Sequence, residues 1–110
     1  MVINGVDNFC FQAMVTGANG SVASAANVVP ELFLAIIENV RKNDLANAWE
    51  YQKKLSATAK LLRYGAMVAL YKEAVRLRGF DAGYVRLPQR ELTAQEKTDF
   101  AKAMEALGLI

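Results

Sequence analysis

Ile3-Asn4-Gly5-Val6-Asp7-Asn8 and, further on, Gly17-Ala18-Asn19-Gly20-Ser21-Val22-Ala23-Ser24-Ala25-Ala26 decide the fold of this 110-residue chain. Residues 1–5 read as a short extended run closed by Asn4-Gly5. Asp7 or Asn8 then caps a helix that runs through residue 16. The inner side of that helix carries Phe9, Ala13 and Thr16, or Cys10, Ala13 and Gly17. Gly17 to Gly20 reads as a turn, because Gly and Asn accept the left-handed backbone that ends helices. Ser21–Ala26 is too short for a free helix between such punctuators, and its small residues read as a buried strand. Strand, helix and strand make a βαβ crossover, whose strands lie parallel in one sheet.

After Asn27 the pattern turns helical. Pro30 stands at a first-turn position, where a missing N–H costs nothing. Phe33, Ile36, Ile37 and Val40 follow at helical spacing and give one apolar face. Asp44 caps the next helix, which carries Leu45, Ala48, Trp49, Gln52, Leu55, Ala59 and Leu62 along one stripe. Gly65 breaks the run. A further helix with Val68, Tyr71 and Val75 inside stops at Gly79, with Arg76 and Arg78 in the last turn, where the helix dipole favours cations. Residues 80–92, with Pro88, form a loop. Thr93-Ala94-Gln95-Glu96 is a capping box that opens a last helix with Phe100, Ala103, Met104 and Leu107 on one side and Gly108 as its stop.

Composition narrows the function. The chain is 54% apolar and 22% charged, which suits a folded domain. It has no histidine and a single cysteine, Cys10, so a Ser-His-Asp triad, a Cys-His pair, a His-ligated zinc site and an internal disulfide are all excluded. That cysteine usage suits a reducing, cytoplasmic setting. The start MVINGVDN shows no signal-peptide pattern, and the longest apolar run, Leu32 to Ile37, is far too short to span a bilayer. Residues 1–40 contain no Lys or Arg and only Asp7, Glu31 and Glu38, so all 13 basic residues lie in 41–110. Spread over several helices, they make no nucleic-acid stripe. A first third so poor in charge reads as surface that other protein covers. Two short parallel strands also leave both edges open and call for more strands from elsewhere.

The quoted glycine-rich stretch, together with Asp44, Ala48, Gln52 and Leu55 and the ending Arg86-Leu87-Pro88…Leu92-Thr93, resembles the dihydrodipicolinate synthase / N-acetylneuraminate lyase family. Arg63-Tyr64-Gly65 and Leu77-Arg78-Gly79-Phe80-Asp81-Ala82-Gly83-Tyr84 look most like archaeal 2-keto-3-deoxygluconate aldolases. The resemblance covers essentially the whole chain. It implies an α/β fragment, mostly helical: residues 1–43 as the seventh and eighth βα units of a (βα)8 barrel, and residues 44–110 as a C-terminal three-helix extension. Family members form a Schiff base between a lysine and pyruvate or a 2-keto acid. That lysine lies on the sixth strand and its tyrosine on the fourth, so both would precede Met1, and the first lysine here is Lys42.

By the resemblance this chain therefore holds no catalytic residue, but it does hold part of a substrate wall. Gly5 matches a backbone position close to substrate, and Asp7 a carboxylate that receives sugar hydroxyls. Val22 matches the branched residue beside pyruvate, and Ser24 a serine touching the substrate chain. Asn8 falls where sialic-acid lyases have Glu. Read without the family, Asp7 is a helix cap, Gly5, Gly17 and Gly20 are turn residues lacking any GxGxxG spacing, and Ser24 is a small residue for close packing. Trp49, Tyr51 and Tyr71 read as core, and Lys53, Lys54, Lys60 and Arg63 as a solvated face.

The expectation is a truncated homologue or C-terminal fragment of a class I pyruvate-type aldolase, inactive alone, with no metal and no cofactor. Its partners would be pyruvate or a 2-keto-3-deoxy sugar acid in the complete enzyme, and further copies of itself or an N-terminal partner chain. Two alternatives are a non-enzymatic helical interaction module and one half of a split aldolase.

Overall fold

The computed structural model describes residues 1–65 and 67–110. In chain order the elements are β1 (Ile3–Asn4), a 3-10 turn (Asp7–Phe9), α1 (Cys10–Val15), β2 (Gly20–Ser21), a second 3-10 turn (Ser24–Asn27), α2 (Pro30–Arg41), α3 (Leu45–Leu62), α4 (Met67–Leu77) and α5 (Ala94–Ala106). The chain divides into two compact units, Met1–Ala59 and Lys60–Ile110. The division falls inside α3, whereas the boundary expected from the family's architecture lies at 43/44.

In the first unit β1 and β2 pair in parallel, Ile3 with Gly20 and Asn4 with Ser21. The expected crossover is present, with much shorter strands. Asn19 N donates to Val2 O and Val22 N to Asn4 O, both at 2.8 Å, which closes the ladder at each end. The strand expected over Ser21–Ala26 ends at Ser21, and Ser24–Asn27 is a 3-10 turn instead. Its small residues turn tightly: Val28 N and Val29 N both reach back to Ala25 O, feeding the chain into α2.

The helix expected through residue 16 is also divided. Val6 and Phe9 occupy the two cap positions without side-chain bonds, and Asp7 is the first residue of the 3-10 turn.

α2 opens at Pro30 as expected and packs on α1 and on the second 3-10 turn. Leu32, Phe33 and Ile36 are buried together with Cys10, Ala13, Met14, Ala25, Val28 and Val29. Ile37 and Val40 are only half-buried. Burying side chains of this size contributes about 1.5–3 kcal/mol each. Asn43, at φ 59°, ends the α2 connection, and Asp44 Oδ1 accepts from Asn47 N at 3.2 Å, the expected cap of α3. Ala48, Gln52, Leu55 and Ala59 form the buried stripe of α3, and Thr58 joins it. Leu45 and Trp49 were expected there but are exposed, 40% and 42%. Trp49 instead lies beside the Phe11 ring, centroids 5.4 Å apart.

In the second unit α4 packs on α5. The buried face of α4 is Ala69, Leu70, Glu73 and Ala74, not the expected Val68, Tyr71 and Val75. Glu73 can face inward because Arg76, one turn on, binds both its carboxylate oxygens. α5 carries the expected capping box between Thr93 and Glu96, and Phe100 and Met104 are buried with Val85, Leu92 and Leu109.

Candidate functional site

Parallel pairing with Asn4 opposite Ser21 puts Gly5 and Val22, each one residue further, side by side at the carboxyl ends of the strands. Asp7 and Ser24 are each the first residue of the 3-10 turn that follows its strand. One offset of 17 residues relates Asn4 to Ser21, Gly5 to Val22 and Asp7 to Ser24. The four expected site residues are therefore equivalent positions of two consecutive strand-and-turn units. All four follow the carboxyl ends of the strands, the end at which (βα)8 barrels place their chemistry.

Their surroundings differ. Gly5 is exposed, and a Cβ added there would meet nothing within 4 Å, so the backbone lies open to a ligand. The Val22 side chain is 75% exposed and Ser24 is exposed too. Asp7 is 1% exposed, buried with Cys10 one turn later. Burial first, and then the charge of Asp7, pushes the Cys10 thiol up to about 11, so it stays protonated and inert at neutral pH.

Two buried polar side chains hold these turns: Asn4, expected only to close an extended run, and Gln52, expected only as part of the stripe of α3 and of the family pattern. Asn4 Nδ2 donates to Val6 O at 2.8 Å and to Ser21 Oγ at 3.0 Å, while its Oδ1 accepts from Val6 N at 3.2 Å. It thus locks Gly5 between two anchored neighbours and staples the first strand end to the second. The other is Gln52 on α3, 1% exposed. Its Oε1 accepts from Phe11 N at 2.8 Å and its Nε2 donates to Asp7 O at 3.1 Å. A polar Gln in an otherwise apolar stripe was the available signal, because a buried amide requires partners.

A groove of about 220 Å3 opens beside Val2, Asn4, Phe9, Ala13 and Thr16 to Ala18, and none of the four expected residues lines it. Among the described residues no three acidic or sulfur side chains gather as a metal site would require. No described helix is long and apolar enough to cross a membrane.

Residues 1–107 match the sequence profile of the Dihydrodipicolinate synthetase family. The chain belongs to that family. A DapA-like lyase of Halobacterium salinarum is 32% identical over 106 residues, which cover 96% of this chain and 35% of that one. The 2-dehydro-3-deoxy-D-gluconate/2-dehydro-3-deoxy-phosphogluconate aldolase of Thermoproteus tenax is 33% identical over 97 residues, 87% of this chain and 32% of that one. The crystal structure of KD(P)GA from T. tenax superposes with a TM-score of 0.89 at 30% identity, covering 96% of this chain and 38% of the other.

The chain thus spans about a third of the length of its relatives in the dihydrodipicolinate synthetase family. It is mostly helical and matches the C-terminal part of their TIM-barrel structures, as the resemblance implied.

Proposed function

We propose that this chain supplies the last two βα units and the helical extension of a Schiff-base aldolase/lyase for 2-keto acids. The observation that supports the reading is that Gly5, Asp7, Val22 and Ser24 all follow the carboxyl ends of two parallel strands, in matching positions. In the complete enzyme these residues form the distal wall of the pocket. The Gly5 backbone and Val22 lie beside pyruvate, and the Asp7 turn and Ser24 face the remainder of a 2-keto-3-deoxy sugar acid.

The imine-forming lysine belongs to the rest of the barrel, since neither β1 nor β2 contains a lysine. An imine draws electrons from the adjoining carbon and makes the pyruvate methyl carbon nucleophilic, which is the covalent step the lysine provides. The chain alone is therefore inactive. Its single buried thiol suits the cytoplasm, and nothing in the reading calls for a metal, a cofactor, nucleic acid or a membrane.

Co-expression tests it. The chain is paired with the amino-terminal two-thirds of the T. tenax aldolase and assayed for cleavage of a 2-keto-3-deoxy sugar acid. Activity in the pair and none in either part is the expected result. A pair that associates without activity would favour instead a non-enzymatic interaction module, a reading supported by the exposed Val2, Phe9 and Val22.

A further inference from the structure

Most buried polar side chains on these helices are satisfied close by. Thr58 Oγ1 donates to Lys54 O within its own helix, and Glu73 binds Arg76 one turn away. Gln52 differs. Its hydrogen bonds to Phe11 and Asp7 cross 41 and 45 residues of sequence. The two backbone groups it takes are also a particular pair: in an unbroken α-helix the N–H of Phe11 would donate to the C=O of Asp7, four residues before it. The side-chain amide, with one donor end and one acceptor end, stands between them as a peptide group would. Here the backbone changes from the 3-10 turn (Asp7–Phe9) to α1.

We propose that Gln52 is a positioning residue for the substrate wall. Its amide is inserted into the Asp7–Phe11 helical hydrogen bond and so sets where the strand-end turn carrying Asp7 stands. The two backbone partners fix its orientation, because the Phe11 N–H can only donate and the Asp7 C=O can only accept, and Nε2 also donates to Ser56 Oγ at 3.1 Å. Through this residue α3 governs the geometry at the first strand end. The structural part of the inference stands on the contacts alone, and only its consequence for turnover rests on the aldolase reading above.

The first measurement is amide hydrogen exchange on the 15N-labelled full chain. Gln52→Met keeps the volume and removes both ends of the bridge. The Phe11 amide should then exchange at least roughly tenfold faster relative to core amides such as Ile36, the size of effect expected when one hydrogen bond is lost. Gln52→Glu keeps an acceptor for Phe11 and loses the donor to Asp7. It should preserve Phe11 protection while shifting the Asn8 15N resonance, which reports on the Asp7 carbonyl. Unchanged Phe11 protection in Gln52→Met overturns the inserted bond. If Gln52→Met does not fold, Gln52→Glu decides alone, and an unmoved Asn8 resonance overturns the inference.

The second measurement is the co-expressed pair. Gln52→Glu should raise KM for the sugar acid roughly tenfold, leave kcat nearly unchanged, and leave borohydride trapping of pyruvate intact, because the lysine lies on the other part. Equal losses in trapping and in turnover would mean a purely structural residue and overturn the positioning role. An inactive wild-type pair would sink the aldolase reading, while the exchange result would still decide the bridge.

Discussion

Ile3→Asp should abolish self-association of the isolated chain. Val2, Ile3, Val6, Phe9 and Val22 are 65%, 46%, 49%, 50% and 75% exposed. Together they leave roughly 450–500 Å2 of largely apolar surface in water, worth on the order of 10 kcal/mol if fully covered. Two copies meeting through this surface would bury about 1,000 Å2, near the lower limit for a specific interface, and association itself consumes much of the gain. The open strand edges add unpaired backbone groups, and no charged side chain before Glu31 other than Asp7 opposes contact.

The expected state is therefore a dimer or larger assembly that dissociates at roughly 10–100 μM. A carboxylate at residue 3 removes apolar area from each copy and must be desolvated on contact, so the midpoint should move up by roughly thirtyfold or more. Leu34→Asp, on α2 and 58% exposed, should leave it unchanged. Sedimentation velocity across a concentration series measures all three proteins. A well-folded monomer at about 100 μM, indifferent to Ile3→Asp, would refute the reasoning.

Further outcomes can be checked on the same material. Pyruvate and borohydride should leave the mass of the isolated chain unchanged, and a stoichiometric adduct on one lysine would contradict the assignment of the imine to the rest of the barrel. Cys10 should react with iodoacetamide at pH 8 roughly a hundredfold slower than a free thiol, and at the ordinary rate in urea; rapid alkylation of folded protein would show that the thiol is accessible.

Arg90 first, then the Thr93 N–H, holds the Glu96 carboxyl down to about 2 from 4.5. Its contribution to stability is complete above pH 4.5 and disappears as pH falls through about 2. The gap in urea midpoint between wild type and Glu96→Gln should close over that window, and a constant gap would argue against the pairing. Thr93→Ala removes the other half of the capping box and should cost about 1 kcal/mol by urea denaturation at pH 7.

Features written in neighbouring residues were legible in the sequence. Pro30, Asp44 and the Thr93–Glu96 box each start a helix through groups within three residues, and each stands where the pattern placed it. What failed was decided at a distance or by pairing. The helix over residues 7–16 is divided where a glutamine from α3 meets its backbone, and no local pattern carries that information. α4 turns a different face inward because Arg76 neutralises Glu73, so a charged position outranked Val68. Ser21–Ala26 has the small residues of a buried strand, yet the same small residues permit the tight turn that leads into α2. The candidate residues Gly5, Asp7, Val22 and Ser24 came from family resemblance. The equivalence of their positions emerged only from the pairing register.

That register makes the stretch from Val2 to Val22 a spacer of fixed count. Asn19 is tied to Val2 through both its backbone and its side chain, Ala18 N bonds Ala13 O, and Gly17 N bonds Met14 O. The link from α1 into β2 therefore has no slack. A substitution at Ala18 leaves these backbone bonds in place, whereas Gly17, at φ 95°, and Asn19 tolerate less. A single inserted or deleted residue would move Val22 out of step with Gly5 and send alternate side chains of β2 to the opposite face. Outside Gly17 and Asn19, the link can vary in its letters more freely than in its length.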